Sequence, residues 1–288
     1  MLAVLFGALS GALFGAMAVA VRQGLRRPGT DSEGGAVAVI WTATLVSVLA
    51  ALVEWGDVRV GQLWPFVVAG ILVPGNSQIL FIKAIRDAGP SRAAILIGTA
   101  PLMSVLIALT LLDEPFRIAL VLGTLLVVAG GAVLARERVR PHDFRALGAV
   151  VALTCAALFA VRDNLVRWAA RDEHAPALAA STASLLAAAL TVSAYFLLFS
   201  RAGGRLRVRR ALPAFAPAGV ALGAAYDCLF EAFDRGRVSI VAPLNATQSL
   251  WAVVFAALVV GATELIGPRL VVAAVLIVAG GMLISVVR

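Results

Sequence analysis

The sequence predicts an all-α membrane protein: ten transmembrane helices in two inverted five-helix repeats. Three observations carry that prediction. Hydrophobic residues make up 61% of the 288 positions and charged residues 14%, with a mean hydropathy of +0.99; no soluble domain of this length has that composition. The apolar residues fall in runs that match the ~20 residues a helix needs to cross a hydrocarbon core of about 30 Å. The second half of the chain also echoes the first.

In order, the runs cover residues 2–21, 35–53, 63–82, 93–112, 118–135, 146–166, 176–199, 211–230, 238–260 and 270–287. Barrel strands need only about 9 to 11 alternating residues, whereas these runs are continuous and rich in Ala, Leu, Val and Gly. The first lacks a basic leader and a soluble domain after it, so it reads as a spanning helix rather than a cleaved signal peptide. Its Gly7, Gly11 and Gly15 at four-residue spacing suit an internal packing stripe better than a dimer face. Connections are short and polar, with no Ser- or Pro-rich linker.

The formal charge of +8 does not point to nucleic acid, because the basic residues lie between apolar runs and not on one folded face. Cys155 and Cys228 fall inside apolar runs and form no C-x-x-C pair, so they read as small hydrophobes. His142 and His174 sit in connections, and no hydrolase, zincin or P-loop signature occurs. The expectation is a protein that is not an enzyme, with no cofactor and no metal.

The repeat emerges when the chain is slid against itself. At an offset of 150, VAGG at 128–131 meets VAGG at 278–281, Glu114 meets Glu264, and 8 of the 18 positions from 114 to 131 are identical. Earlier the offset is 145: ALF at 12–14 meets ALF at 157–159, and Val21, Arg22 and Arg26 meet Val166, Arg167 and Arg171. Each unit, 1–140 and 141–288, carries five runs. Five is odd, so the second copy enters the membrane from the opposite side. Packing is the favoured role for Gly130, Gly131, Gly280 and Gly281, since small residues let helices approach closely in lipid.

Two five-helix repeats, each with an acidic stretch (DEP at 113–115, ATE at 262–264) before a last helix ending in VAGG, resemble the drug/metabolite transporter superfamily, EamA type. Pro101, thirteen residues before Glu114, fits that pattern; Trp251 stands in its place in the second half, a departure. The resemblance implies a secondary transporter, often an exporter of small metabolites. It also implies a central cavity lined by the first four helices of each half, with the fifth helices at the periphery.

Site candidates lie where polar residues interrupt apolar runs, because burying such groups is costly unless they face a cavity or a partner. The third run reads LVPGNSQILFIKAIRD. Its Pro74-Gly75 break frees backbone groups at mid-depth, and Asn76 and Gln78 either line a cavity or bond between helices. Lys83 is the single lysine against 23 arginines. Its compact ammonium answers a positional need, or it snorkels from a helix end. The eighth run ends in AAYDCLFEAFDRG, which places Asp227, Glu231 and Asp234 on one face beside Tyr226. A membrane carboxylate that takes up protons is what a proton-coupled antiporter needs; the alternative is structural pairing with Lys83 or an arginine. In the sixth run Asp163 is a weaker candidate, and Arg162 and Arg167 read as snorkelling residues. The ninth contributes Asn245, Gln248 and Trp251, suited to holding a small organic ligand.

The function expected is a multi-pass secondary transporter of a bacterial plasma membrane that moves a small polar or amphipathic metabolite by alternating access. Proton-coupled export is the favoured mode, by a monomer or homodimer. Its rivals are a multidrug exporter and a non-transporting scaffold or lipid-handling protein. By the excess of Lys and Arg on the cytoplasmic side, odd-numbered connections, with 16 basic residues, lie inside and both termini outside; the even connections and C-terminus hold 8. The resemblance points to termini inside.

Overall fold

The computed structural model describes residues 2–52, 58–100, 103, 118–135, 146–172, 175–199, 204–235, 241, 244–245, 247–259 and 267–286. The helices are α1 (Leu2–Leu25), α2 (Ser32–Ala51), α3 (Trp64–Gly70), α4 (Ser77–Ala88), α5 (Pro90–Ile97), α6 (Ile118–Ala135), α7 (Ala146–Asp172), α8 (Ala177–Phe199), α9 (Gly204–Arg235), α10 (Gln248–Val259) and α11 (Pro268–Val286). Every expected run therefore contributes helix. Among the described residues, five stretches are long and apolar enough to cross a membrane: Leu2–Leu25, Ser32–Ala51, Trp64–Ala88, Ala177–Phe199 and Arg207–Arg235. The DEP and ATE stretches and Pro101 lie outside the described residues.

Local chemistry explains the ends and breaks. Asp31 caps α2, its carboxylate accepting from the amides of Glu33 and Gly34, which supplies acceptors for otherwise orphaned donors. The Pro74-Gly75 break appears as a wide, π-type turn over Ile71–Asn76 with a cis Val73–Pro74 bond. The fourth and ninth runs, expected to be continuous, are interrupted at Thr99 and Thr247. At both breaks the threonine hydroxyl donates to the carbonyl three residues back, Leu96 and Leu244, at 2.6 Å each. A hydroxyl that satisfies a carbonyl locally competes with continuing the helical ladder.

The packing repeats in pairs. α1 lies against α9 and α10, as α7 lies against α3, α4 and α5; α2 packs on α9, as α8 packs on α3. Contacts join helices of equivalent runs: α2 with α8, α6 with α11, and α5 of the fourth run with α10 of the ninth. Along α2, Trp41, Thr44 and Ser47 meet Ser193, the Leu185 carbonyl and Ser181 in turn, so these two equivalent helices run antiparallel. A two-fold axis that exchanges adjacent antiparallel helices lies across them, in the membrane plane. That is an inverted repeat.

Small residues form the seams. A Cβ added at Gly130 would meet the Ala273 oxygen at 2.9 Å and Ile277 Cγ1 at 2.7 Å; one at Gly280 would meet the Gly123 oxygen at 2.6 Å and Val127 Cγ2 at 2.7 Å. Residues 123, 127 and 130 are 273, 277 and 280 displaced by 150, so VAGG builds one symmetric close contact between α6 and α11. Gly7, Gly11 and Gly15 press on Leu244, Thr247 and Trp251, an internal stripe. Their repeat equivalents on α7, Ala152, Ala156 and Ala160, are fully buried. The core is rich in Ala, whereas Leu45, Leu49, Leu197 and Leu258 lie on the outside, the arrangement expected of helices packed in lipid.

Candidate functional site

α9 presents two different buried clusters on two faces. Tyr226 is 2% exposed and Asp227 8%, and as sequence neighbours on a helix they point about 100° apart. On the Asp227 side, Oδ1 accepts from Ser47 Oγ of α2 at 2.5 Å and from Ser181 Oγ of α8 at 2.8 Å. The Thr182 hydroxyl lies 3.0 Å from Ser47 Oγ. Ser47 has one proton to give and spends it on the carboxylate, so Thr182 is the donor to Ser47. The carboxylate thus joins α2, α8 and α9 through hydroxyls, and among the described residues neither Lys83 nor an arginine pairs with it. Glu231, one turn on, is buried and forms an ion pair with Arg235 at 2.5 Å, while Asp234 is exposed.

On the Tyr226 side the helices meet around aromatic rings. Phe14 of α1 stands edge-on to Tyr226 at 5.8 Å, Phe230 stacks on it at 6.0 Å, and Phe66 of α3 lies 5.9 Å from Phe230. Arg162 of α7 donates to the Tyr226 hydroxyl at 3.2 Å. Its guanidinium carbon lies 5.6 Å from the Tyr226 ring centre and 5.7 Å from that of Phe159. Arg162 is 5% exposed, which corrects its reading as a snorkelling residue: α7 continues to Asp172, so Arg162 sits well inside it.

The remaining candidates divide. Gln78 is buried, and its Nε2 has no hydrogen-bond acceptor among the described residues. Asn76 is exposed and Lys83 half-buried, and neither bonds a described residue through its side chain. Asn245 stands 3.4 Å from Ser10 Oγ, whose proton goes to the Ala225 carbonyl at 2.9 Å. Gln248 is half-buried; Trp251 is exposed and stacks on Phe255 at 5.5 Å. The side chain of Asp163 lies outside the described residues, as do those of Arg167 and Arg171. Ser47, Ser181 and Thr182 were missed by the sequence reading, although they too interrupt apolar runs.

At one end of the bundle Arg207 of α9 bridges Asp31 at 2.8 Å and Glu33 at 3.0 Å at the start of α2. Burial pushes the Asp31 carboxyl up, but the Arg207 hydrogen bond, the Gly34 amide, the Arg207 charge and the Glu33 amide outweigh it, leaving the pKa below the ordinary value of 3.8. Among the described residues no group of three or more His, Cys, Asp or Glu is placed to hold a metal.

The profile of the EamA-like transporter family matches residues 1–136 and again 146–286. A crystal structure titled only "Crystal structure of protein" shares 24% identity and a TM-score of 0.69, covering 98% of this chain and 94% of that one. At that identity the likeness speaks for the fold alone. No curated protein matches.

Proposed function

Since the chain belongs to the EamA-like transporter family, and is thus a multi-pass membrane protein that handles a small-molecule substrate, we propose that it is a secondary active transporter. Ten helices in two repeats, 1–140 and 141–288, move a small polar or amphipathic metabolite by alternating access, as proton-coupled export across the plasma membrane. The protein works as a monomer or homodimer and performs no catalysis. The observation that carries this reading is Asp227, buried between helices of both repeats and held, among the described residues, by hydroxyls. Alternating access requires the repeats to shift against each other, and a carboxylate at their junction changes its hydrogen bonding when it gains a proton.

The experiment is transport by proteoliposomes with and without a pH gradient. Asp227→Asn keeps shape and an acceptor oxygen for Ser47 and Ser181 but cannot titrate. It is expected to abolish gradient-driven uptake while leaving folding and substrate exchange intact. Undiminished gradient-driven uptake by this variant removes the coupling role.

A further inference from the structure

The two halves match in their hydrogen bonds closely enough to relate Gln78 to its counterpart in the other half. Ser10 Oγ donates to the Ala225 carbonyl, and Cys155 Sγ, 145 residues after Ser10, approaches the Ser77 carbonyl at 3.8 Å. Ser77 precedes Ala225 by 148. The offset between α3 and α9 is 149 before the wide turn: Gly70 abuts the Ser184 carbonyl, as Gly219 abuts the Val39 carbonyl. The turn therefore holds one additional residue. Beyond it Gln78 is the equivalent of Tyr226, Phe159 of Phe14, and Arg162 of Met17. Tyr226 lies edge-on to Phe14, so Gln78 occupies the matching place beside Phe159, whose ring lies under the Arg162 guanidinium.

Resting on the transporter reading of the same site, we propose that Arg162 and Gln78 form an anion subsite taking the carboxylate of a small organic acid, with its apolar body against Phe14 and Phe159. Arg162 is buried, with its guanidinium carbon 5.7 Å from the Phe159 ring centre and 5.6 Å from that of Tyr226. A guanidinium pairs with carboxylates through its planar N–H edge, two bonds at a time. The other repeat holds Met17, buried and apolar, at the equivalent position, so the cation is particular to this half. Gln78 brings an independent observation: a buried amide nitrogen without an acceptor, which a carboxylate oxygen satisfies. Phe14 and Phe159 are both half-buried, leaving ring surface for an apolar body.

The test is equilibrium dialysis of the purified full chain in detergent with three radiolabelled probes: phenylacetate, the neutral isostere phenylacetamide, and hexanoate. The proposal expects both carboxylates to bind and phenylacetamide to bind at least tenfold more weakly. Arg162→Gln is expected to erase the preference for the anion, and Arg162→Lys to keep part of it. Gln78→Leu, with the arginine intact, is expected to weaken phenylacetate severalfold. Size-exclusion profiles identify any misfolded variant, and the comparison of carboxylate with amide in the unaltered protein needs none. Equal affinity for phenylacetate and phenylacetamide, binding of neither carboxylate, or an Arg162→Gln protein with unchanged phenylacetate affinity overturns the proposal. Proteoliposomes separate it from the broader reading. Transport of a neutral or cationic solute that survives Arg162→Gln overturns the subsite and leaves a transporter; carboxylate binding without transport of any solute does the reverse.

Discussion

Alanine at Gly130 or at Gly280 tests the inverted repeat where it is most exact. An alanine Cβ at Gly280 arrives 2.6 Å from the Gly123 oxygen and 2.9 Å from the Val127 nitrogen, and one at Gly130 arrives 2.9 Å from the Ala273 oxygen and 3.2 Å from the Ile277 nitrogen. These are backbone atoms of helices and cannot rotate away. Restoring an ordinary contact of about 3.4 Å requires α6 and α11 to part by ~0.5 to 0.8 Å, and overpacking of that kind costs about 1–3 kcal/mol. Replacing a helical glycine returns at most about 1 kcal/mol of chain entropy. Each variant is therefore expected to lose ~1–2 kcal/mol, the two within about 0.5 kcal/mol of each other because their surroundings are related by the two-fold axis. Gly61→Ala, with nothing within 4 Å of the added carbon, is expected to stay within about 0.5 kcal/mol of the parent. Unfolding of purified protein in mixed micelles titrated with SDS measures all three. A stability gain at either VAGG glycine, the ordinary result for an unconstrained helical glycine, refutes the seam; a clear difference between the two refutes its symmetry.

The Arg207–Asp31–Glu33 cluster gives a pH dependence. The folded pKa of Asp31 is lowered, so its stabilisation is present above the ordinary value of 3.8 and lost as pH falls through the folded value. Arg207→Gln is thus expected to be less stable than the parent at pH 7, with the gap narrowing as pH falls below 3.8, as read by thermal unfolding; a gap that does not change with pH on the acid side of 3.8 assigns the loss to packing instead. Topology is decided by cysteine labelling in a background with Cys155 and Cys228 replaced by Ser. A Cys placed at Gly204 is expected to be shielded from a membrane-impermeant maleimide in intact cells and one at Gly56 to react; the reverse puts the termini inside.

What the sequence disclosed follows from how each feature is encoded. Apolar runs and VAGG are local strings, so their helices and the α6–α11 seam are legible letter by letter. The hydroxyl cage of Asp227 is not, because Ser47, Ser181 and Asp227 lie far apart in sequence and serines are common in membrane helices for packing alone. Arg162 was misplaced by a boundary. The apolar run ends at 166, which put the arginine within a turn or so of water, but α7 continues to Asp172, and six further residues at 1.5 Å each add about 9 Å of helix. The breaks at Thr99 and Thr247 escaped notice because a single threonine leaves hydropathy almost unchanged.

The symmetry of the backbone gives meaning to the side chains that break it. Beyond the wide turn, Asp227 corresponds to Ile79, and its hydroxyl partners Ser47, Ser181 and Thr182 correspond to Val192, Ala36 and Val37, every one buried and apolar. Tyr226 corresponds to Gln78, Met17 to Arg162, and Glu231 to Lys83. A carrier built from two identical inverted halves has inward- and outward-facing states of equal energy, since the two-fold axis exchanges them. Any preference for one state, and any coupling of that preference to an ion or a solute, must come from groups the axis does not exchange. Among the described residues, Gln78, Lys83, Arg162, Tyr226, Asp227 and Glu231 break the axis with polar or charged groups that are buried or half-buried, whereas Gly130 with Gly280 and Thr99 with Thr247 obey it. Scaffold and chemistry are thus written in different residues of the same helices, and substitutions at the first class are expected to change stability while substitutions at the second change transport.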